Sequence, residues 1–291
     1  MMRPIHDLDH STLEFESQTC EESIQALETG SVLYFPKLSF DLLESEKALL
    51  SPDLVKPDTK NISYLPDQRI IRGVQADSFQ EALMQNMLER YFNYAKKLID
   101  ELFPHYQGKY QFGKTSYRPV EVKGRESSYR KDDTRLHVDA FTSNPNRGKR
   151  LLRVFCNINP NNQSRHWRVG ESFSDVVRQF APQIPKPLPG KHMILKAFGI
   201  TKSLRSDYDH YMLQIHNRMK ADMHYQKTAA QLEFHFPPQT TWIVFTDSVS
   251  HAAMSGQYML EQTFYLPVEA MKFPDQAPLR VLEKMMNRKL A

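Results

Sequence analysis

The spacing of apolar residues changes once along this 291-residue chain, near Tyr110, and that change restricts the possible folds more than any other feature. Before it, apolar residues recur at helical spacing, most clearly from Ser78, an expected N-cap, to about Leu102. After it, segments rich in Val, Ile, Phe, Tyr and Thr alternate with period two. The predicted strands are 109–120, 134–140, 150–159, 231–236, 241–246 and 258–266. Helices followed by many short strands favour a jelly-roll-like barrel or sandwich with helical support.

Shorter elements complete the predicted organisation, which is a mainly β core with helical elaboration. Further helices are predicted at 21–29, before Gly30, and at 42–50, with a strand at 31–36 and an extended segment at 62–74. A Pro-rich segment, 181–190, precedes a helical pattern over 207–230. We expect one domain over 1–291, divided into N-terminal support (1–108), β core (about 109–170 and 231–268), helical insertion (about 171–230) and C-terminal helix (277–290).

Composition excludes several classes of protein. Apolar residues make up 40% of the chain and are spread along it, which excludes disorder as the main state. The longest apolar runs fall far short of the ~18 residues that a membrane span requires. Two cysteines cannot form a disulfide framework, and no apolar stretch follows the first residues as in a signal peptide. We therefore expect a cytoplasmic protein.

Positive charge is concentrated in the middle of the chain. The net charge is only +4, but twelve Lys and Arg lie between Arg118 and Arg168, against five acidic residues. Such a surface attracts anions. The candidates are a nucleic acid, a phospholipid surface and a small carboxylate, and the alternative is a solvated basic face.

The residues that best indicate chemistry are His137, Asp139 and the distant His251. In a strand, residues i and i+2 point to the same side, so His137 and Asp139 can reach one point. His251 follows another apolar strand, and both positions would lie at strand ends, where ligand sites are common. Two histidines and one carboxylate form the facial triad of oxygen-activating Fe(II) sites, although an isolated H-x-D pair is weak evidence.

The other histidines tested lack comparable partners. His210, His216 and His224 lie in the predicted helical insertion at spacings that do not place them on one helical face. No carboxylate accompanies His235 at i±2, and His166 and His192 lack a partner too. Surface or hydrogen-bonded roles are the simpler interpretation of all six.

Three segments around these residues give the chain a family resemblance. TRLHVDAFTSNPNRGKRLLRVFCNINP, RHWRVGE and FTDSVSHAAMSGQYMLEQTFYLPVEAM resemble the Kdo hydroxylases, which belong to the Fe(II)/2-oxoglutarate oxygenases. The resemblance spans roughly 15–275 and is most specific in 134–170 and 241–270. It implies a double-stranded β-helix, also called a jelly roll. It also implies hydroxylation of Kdo, the acidic sugar of the lipopolysaccharide inner core, at C3 to give Ko.

The resemblance further implies cofactors, a partner and a location. Iron(II) would be the cofactor, with 2-oxoglutarate and O2 as co-substrates. Kdo would be modified on a lipid A precursor at the cytoplasmic face of the inner membrane, so a peripheral membrane contact is expected. The C-terminal segment 277–290 could provide it as a basic amphipathic helix, although packing on its own domain is the commoner role.

Carried over to this sequence, the family pattern assigns His137, Asp139 and His251 as iron ligands. Many members of the wider superfamily have Arg or Lys about ten residues after the distal histidine, to pair with the far carboxylate of 2-oxoglutarate. Residues 257–266, QYMLEQTFYL, contain no basic residue. A buried anion without a partner is costly. Arg153 is therefore the first candidate, because it alternates with aliphatic residues in RLLRVFCNIN and its fork suits a carboxylate.

Further residues have weaker assignments. Arg168 is the second candidate for the 2-oxoglutarate carboxylate, and Gln262 could donate a neutral hydrogen bond to it. Asp247 is either a turn residue or the partner of the second ring nitrogen of His251. Four arginines that run toward the metal pair could bind the carboxylate of Kdo or the phosphates of lipid A: Arg118, Arg125, Arg130 and Arg135.

Two other functions are compatible with the same residues. One is a related oxygenase acting on another small molecule or on a protein side chain. The other is a non-catalytic basic β-domain that binds anions or nucleic acid. Because the chain lacks an RNP-like aromatic strand and any recognised binding motif, we expect no nucleic-acid partner.

Overall fold

Two β-sheets form the centre of the molecule. A computed structural model describes residues 4–57, 59–125, 127–187 and 204–291. The larger sheet has eight strands in the order β1-β2-β9-β6-β11-β5-β3-β4, and the smaller has three in the order β10-β7-β8. The strands are β1 (Ile5–Asp7), β2 (Val32–Phe35), β3 (Ile62–Leu65), β4 (Ile70–Arg72), β5 (Gln111–Arg118), β6 (Arg150–Asn157), β7 (Arg165–Val169), β8 (Leu232–Phe236), β9 (Thr240–Phe245), β10 (His251–Ser255) and β11 (Met259–Leu266). Pairing is antiparallel throughout except between β1 and β2.

Helices cover one face of the larger sheet and flank the smaller one. They are α1 (Ser17–Glu28), α2 (Ser78–Leu102), α3 (Phe173–Phe180), α4 (Asp207–Ala221), α5 (Met223–Thr228) and α6 (Pro278–Met286). The α2 helix begins where the sequence predicts, but its cap is Asp77, whose carboxylate accepts a hydrogen bond from the Gln80 amide (2.7 Å). The helix predicted at 42–50 is a 3₁₀ helix, Glu44–Leu49.

Strand β6 explains how the layers are arranged. All eight of its residues are buried, as expected for a central strand covered on both faces. Leu152 and Val154 pack toward the helices, where the Tyr91 hydroxyl of α2 donates to the Val154 carbonyl (3.0 Å). Phe155 faces the smaller sheet and stacks on Trp242, with ring centroids 5.3 Å apart. An aromatic and aliphatic cluster therefore fills the space between the two sheets.

One predicted strand is wrong in a way that matters for function. Segment 134–140 begins with a turn at Thr134 and a bend at Arg135, and it forms only a single bridge, between His137 and His251. The neighbouring backbone is held by a side chain instead: Leu136 N–H donates to Gln226 Oε1 (2.7 Å), and Gln226 Nε2 donates to the Leu136 carbonyl (3.0 Å). Because Gln226 belongs to α5, the helical region braces this segment directly.

The predicted insertion contains α3, α4 and α5, while residues 188–203, including His192 and part of the Pro-rich segment, lie outside the described residues. At the C-terminus, α6 packs on its own domain, since Leu279 and Leu282 are buried in the main core cluster. This is the commoner of the two roles considered for that segment, and its apolar face does not face solvent. Within the described residues, no helix is long and apolar enough to cross a bilayer.

Candidate metal centre

The bridge between segment 134–140 and strand β10 brings the first and third candidate ligands together. His137 N–H donates to the His251 carbonyl (3.0 Å), and His251 N–H donates to the His137 carbonyl (2.9 Å). The two residues lie directly opposite each other, with ring centroids 4.7 Å apart. Asp139 N–H donates to the Thr246 carbonyl (2.8 Å), which fixes the carboxylate beside them. One potential ligand atom from each of the three residues lies within 4.8 Å of the others.

The backbone also orients both imidazoles. His137 Nδ1 is 2.8 Å from the Arg135 carbonyl, and His251 Nδ1 is 2.8 Å from the Val249 carbonyl. Since a carbonyl only accepts hydrogen bonds, each Nδ1 carries a proton, which leaves Nε2 as the nitrogen of each ring that can bind a metal. The partner of the second ring nitrogen of His251 is therefore the Val249 carbonyl, and not Asp247, which was a candidate for it. Asp247 lies in a turn and pairs with Arg150 Nε (2.8 Å), with both side chains fully buried.

The protonation states suit a cation. Burial and the neighbouring His137 lower the pKa of His251 to about 4, so its imidazole is neutral near neutral pH. Burial alone would raise the pKa of the Asp139 carboxyl, but the charge of Arg153 and the imidazole of His137 hold that pKa well below its usual range. The site therefore offers the neutral imidazole of His251 and the ionised carboxylate of Asp139.

The carboxylate retains unused capacity for a ligand. Asp139 Oδ2 is buried and has no hydrogen-bond partner among the described residues. Arg153 Nη2 is 3.2 Å away, close enough for an ion pair. Two imidazoles and a carboxylate form the donor set that non-heme Fe(II) takes, so these residues fit such an ion.

A cavity of about 80 Å³ adjoins the three residues, and its walls carry three arginines: Arg118, Arg153 and Arg165. Arg153 Nη1 contacts Glu261 Oε1 (3.0 Å), and Arg118 Nη2 contacts Glu261 Oε2 (2.7 Å). Apolar walls are formed by Phe155, Trp167 and Met259. Trp167 stacks on the His251 ring at a centroid distance of 5.1 Å.

Arg165 lines the cavity although its sequence pattern did not predict a role there. It lies on β7 in RHWRVGE, two residues before Trp167, so period-two alternation directs both side chains to the same side. Burial and the charge of Arg118 lower the pKa of Arg165 to about 10, which leaves it protonated at neutral pH. Its Nη1 donates to the Gly256 carbonyl (2.6 Å), while its buried Nε has no hydrogen-bond partner in the described part of the chain.

The structure directs Arg168 and Gln262 away from this cavity. Arg168 follows Trp167 on β7 and therefore points to the opposite side, where its Nη2 donates to the Thr134 carbonyl (2.7 Å). Gln262 alternates with Glu261 on β11 in the same way. It is fully buried, accepts a hydrogen bond from the Thr115 hydroxyl (2.5 Å) and donates to the Thr263 carbonyl (2.7 Å).

Of the four arginines expected to run toward the metal pair, only Arg118 lines the cavity among the described residues. Arg125 donates to the Lys60 carbonyl (3.4 Å). Arg130 is exposed and lies over the Tyr129 ring, 5.4 Å from its centroid. Arg135 pairs with Asp132 (3.1 Å) and donates to the Lys220 carbonyl (2.8 Å), which ties the metal segment to α4.

His216, which was predicted from the sequence to have only a surface or hydrogen-bonded role, lies close to the candidate metal centre. His216, on α4, contacts the His137 ring edge-on with centroids 5.3 Å apart. Burial and the neighbouring His137 lower its pKa to about 3. Spacing within the helix could not reveal this contact, because His216 acts on a residue of another segment. His235, by contrast, stacks on His166 (4.2 Å) on the smaller sheet and does not line the cavity.

The class follows from these observations. Two facing β-sheets with a two-histidine, one-carboxylate site at their edge define a mononuclear non-heme iron oxygenase. The family model for 3-deoxy-D-manno-oct-2-ulosonic acid (Kdo) hydroxylase matches residues 10–289. The chain therefore belongs to the Kdo hydroxylase family, and it is a dioxygenase.

Solved structures agree with this assignment. The chain is similar to the Kdo hydroxylase KdoO, a non-heme Fe(II) alphaketoglutarate dependent dioxygenase, in complex with cobalt(II). The TM-score is 0.97 at 48% identity, over 99% of this chain and 97% of that one. The complex of KdoO with alphaketoglutarate and Fe(III) gives a TM-score of 0.96 at 47% identity, over 99% and 98% of the two chains. A search of curated proteins finds no match.

Proposed function

We propose that this chain hydroxylates Kdo at C3 to give Ko, with Fe(II) as cofactor and 2-oxoglutarate and O2 as co-substrates. His137, Asp139 and His251 would hold the iron. When bound, iron and 2-oxoglutarate activate dioxygen for the replacement of a C–H hydrogen by a hydroxyl group. One observation supports the proposal most directly: the triad and three arginines line the same cavity, in a chain of the Kdo hydroxylase family.

The charges of the cavity support a dianionic co-substrate. Three arginines line it, and three carboxylates balance them: Asp133, Asp139 and Glu261. A divalent cation would leave an excess of two positive charges. A dicarboxylate such as 2-oxoglutarate would restore neutrality, which matters because uncompensated buried charge is costly.

Arg153 is the first candidate for the far carboxylate of 2-oxoglutarate, and Arg165 replaces Arg168 as the second. Arg153 lies next to the metal ligand Asp139, and its buried Nε has no hydrogen-bond partner in the described ranges. Arg165 likewise retains an unpaired buried Nε. A guanidinium with free donors can bind a carboxylate through two parallel hydrogen bonds.

Other residues orient the ligands and exclude water. The Arg135 and Val249 carbonyls hold the imidazoles with Nε2 toward the metal position. The rings of Phe155 and Trp167 keep the pocket dry on the side of the smaller sheet. The neutral state of His251 means that no proton has to leave before a metal binds near neutral pH. No side chain is required as a general base.

We further propose that the acceptor is Kdo on a lipid A precursor and that the enzyme works in the cytoplasm, with peripheral contact to the anionic inner membrane. The exposed Arg130 and the half-buried Arg125 would meet phosphates outside the cavity. The aromatic cluster between two facing sheets supports a double-stranded β-helix. We assign the whole chain to one oxygenase domain, with the helical insertion bracing the metal segment through Gln226.

The decisive experiment is mass spectrometry of lipopolysaccharide core from cells with and without the chain, looking for one added oxygen on Kdo. His137→Ala, Asp139→Ala and His251→Ala should each abolish that gain, because each removes one-third of the protein ligands. His235→Ala is the matched control, since this imidazole lies outside the cavity. His216→Ala does not serve as a control, because His216 contacts His137.

A second measurement separates the reaction from its acceptor. Anaerobic addition of Fe(II) and 2-oxoglutarate should give a weak visible band near ~500 nm, expected for chelation at an open facial site. If the band appears but mass spectrometry shows no added oxygen on Kdo, the chain is a related oxygenase that acts on another molecule. Absence of the band would favour the anion-binding β-domain.

A further inference from the structure

The outer face of the smaller sheet carries a cluster of metal-ligating side chains that the oxygenase reaction does not use. Strands β7 and β8 pair so that His166 lies opposite His235, and Arg168 lies opposite Glu233. Trp167 alternates with His166 and packs in the aromatic cluster between the sheets, so both imidazoles and the Glu233 carboxylate point to the other side. The smaller sheet therefore separates this cluster from the candidate metal centre.

The two imidazoles of the cluster are already in contact. The ring centroids of His166 and His235 are 4.2 Å apart, and the ring planes are inclined by 16°. Among the described residues, the other contacts between imidazole rings all involve His137 at the metal centre. Two imidazoles on directly opposite residues of paired strands present their nitrogens to one ion without ordering a loop, which keeps the entropy cost of binding small.

A carboxylate lies beside the pair at a distance that suits a shared ion. Glu233 Oε2 is 3.4 Å from His166 Nε2. Two donors that bind one Zn(II) at about 2.0–2.1 Å each, with a tetrahedral angle between them, are about 3.4 Å apart. The geometry of this contact does not make a hydrogen bond, and the buried Nε2 has no other partner within the described ranges. A metal ion would therefore use a donor atom that is otherwise unsatisfied.

Protonation and crowding do not oppose a metal ion here. Burial and the neighbouring His235 lower the pKa of His166, so its ring is neutral and keeps a lone pair at neutral pH. Glu233 and His235 are exposed, and rotation about their side-chain bonds can bring their donor atoms to an ion beside His166. Arg168, the cation opposite Glu233, has its Nη2 committed to the Thr134 carbonyl (2.7 Å).

We propose that His166, His235 and Glu233 form a second metal site, which binds a divalent ion such as Zn(II) through two imidazole nitrogens and one carboxylate oxygen. Imidazole ligands suit Zn(II), Cu(II) and Ni(II), whereas Mg(II) and Ca(II) require oxygen ligands. The ion would connect β7 to β8, an edge strand of the smaller sheet, on the side opposite the metal cavity. Its role is structural, and it takes no part in the reaction proposed above.

The test uses Cu(II) iminodiacetate, whose chelator leaves positions on the ion for two adjacent imidazoles. Binding to the full chain is followed by calorimetry and by electron paramagnetic resonance, which should show two coordinated imidazoles in wild-type protein. His166→Gln and His235→Gln should each raise the Kd at least about tenfold, because a single imidazole loses the gain from chelation. Zn(II) should displace the probe from wild-type protein, and Glu233→Gln should weaken this competition at least about threefold.

Two variants control for other imidazoles. His224→Gln removes an exposed imidazole of α5, and His251→Gln removes a candidate ligand of the iron, so both should bind the probe as wild-type protein does. Loss of binding in His251→Gln with retention in His235→Gln would place the probe at the metal centre and overturn the second site. Equal Kd values for wild type, His166→Gln and His235→Gln would overturn it too, as would a wild-type Kd above about 1 mM. Unchanged competition by Zn(II) in Glu233→Gln would overturn the three-donor site.

Discussion

Replacing Arg153 by methionine tests how the protein holds 2-oxoglutarate. The guanidinium lies between two buried carboxylates, 3.2 Å from Asp139 Oδ2 and 3.0 Å from Glu261 Oε1, and the residue is 9% exposed. Methionine retains much of the length of the side chain and its apolar character, so the substitution mainly removes charge and hydrogen-bond donors. Glu261 keeps Arg118 as a partner in the variant, which limits the damage to folding.

The expected effect follows from the burial of these groups. Truncating one partner of a buried charge pair costs about 2–5 kcal/mol. Because Arg153 already contacts two carboxylates, binding of 2-oxoglutarate exchanges partners, and the lower end of this range applies. A loss of about 2 kcal/mol corresponds to an increase of about 30-fold in the KM for 2-oxoglutarate. The KM of Arg153→Lys for 2-oxoglutarate should lie between those of Arg153→Met and wild type, because lysine keeps the charge but cannot form two parallel hydrogen bonds to a carboxylate.

Metal binding should respond in the opposite direction. Removing a positive charge beside Asp139 favours a divalent cation, so the affinity for Co(II) should stay the same or rise. Removing Arg153 would raise the pKa of Asp139, because burial raises that pKa and the charge of Arg153 opposes it. A variant that had simply lost its site would bind Co(II) less tightly.

The assay is succinate formation as a function of 2-oxoglutarate, together with a Co(II) titration followed by absorbance. Arg168→Met is the matched control, since Arg168 points away from the cavity. An unchanged KM in Arg153→Met, with an increase in Arg165→Met, would transfer the role to Arg165. Unchanged KM values in both would refute the charge argument for this cavity.

Three further predictions concern stability and the acceptor. Arg150→Met should destabilise the protein to urea by about 3–5 kcal/mol, because it leaves the fully buried Asp247 carboxylate without its cation; a loss below about 1 kcal/mol would contradict this. The folded-state pKa of His251, about 4, lies below the unfolded value of 6.5, so metal-free protein should lose up to about 3 kcal/mol as pH falls from 6.5 to 4. The free energy of unfolding in urea, measured at about pH 7 and about pH 5, tests this prediction. An equal loss of stability in His251→Gln would contradict the role of His251. Arg130→Ala should weaken use of lipid-linked Kdo at low salt and less at high salt, where exposed charges are screened; a salt-independent loss of succinate formation would exclude this steering role.

The candidate metal ligands could be predicted from the sequence more accurately than the residues that surround them. The H-x-D spacing and the position of His251 after an apolar strand were sufficient to select three residues whose ligand atoms lie within 4.8 Å of one another. Period-two alternation also predicted β5, β6, β8, β9 and β11, because each of these strands has a side chain pattern set by the layer it faces. The same pattern failed at 134–140, which forms a single bridge to β10, and the side chain of Gln226 holds the backbone of Leu136 beside that bridge.

Only the tertiary structure decided which polar residues share the cavity. Arg153, Arg165 and Arg168 are equally basic in the sequence, but the register of β7 directs Arg165 inward beside Trp167 and Arg168 outward to the Thr134 carbonyl. The partners of Asp247 and His216 belong to distant segments, Arg150 and His137. Local spacing places His137 and Asp139 two residues apart in one segment, but the bridge that brings His251 to them is a tertiary contact. Which residue of another segment contacts a given side chain depends on strand register and helix packing. Both are set by contacts between segments far apart in the chain.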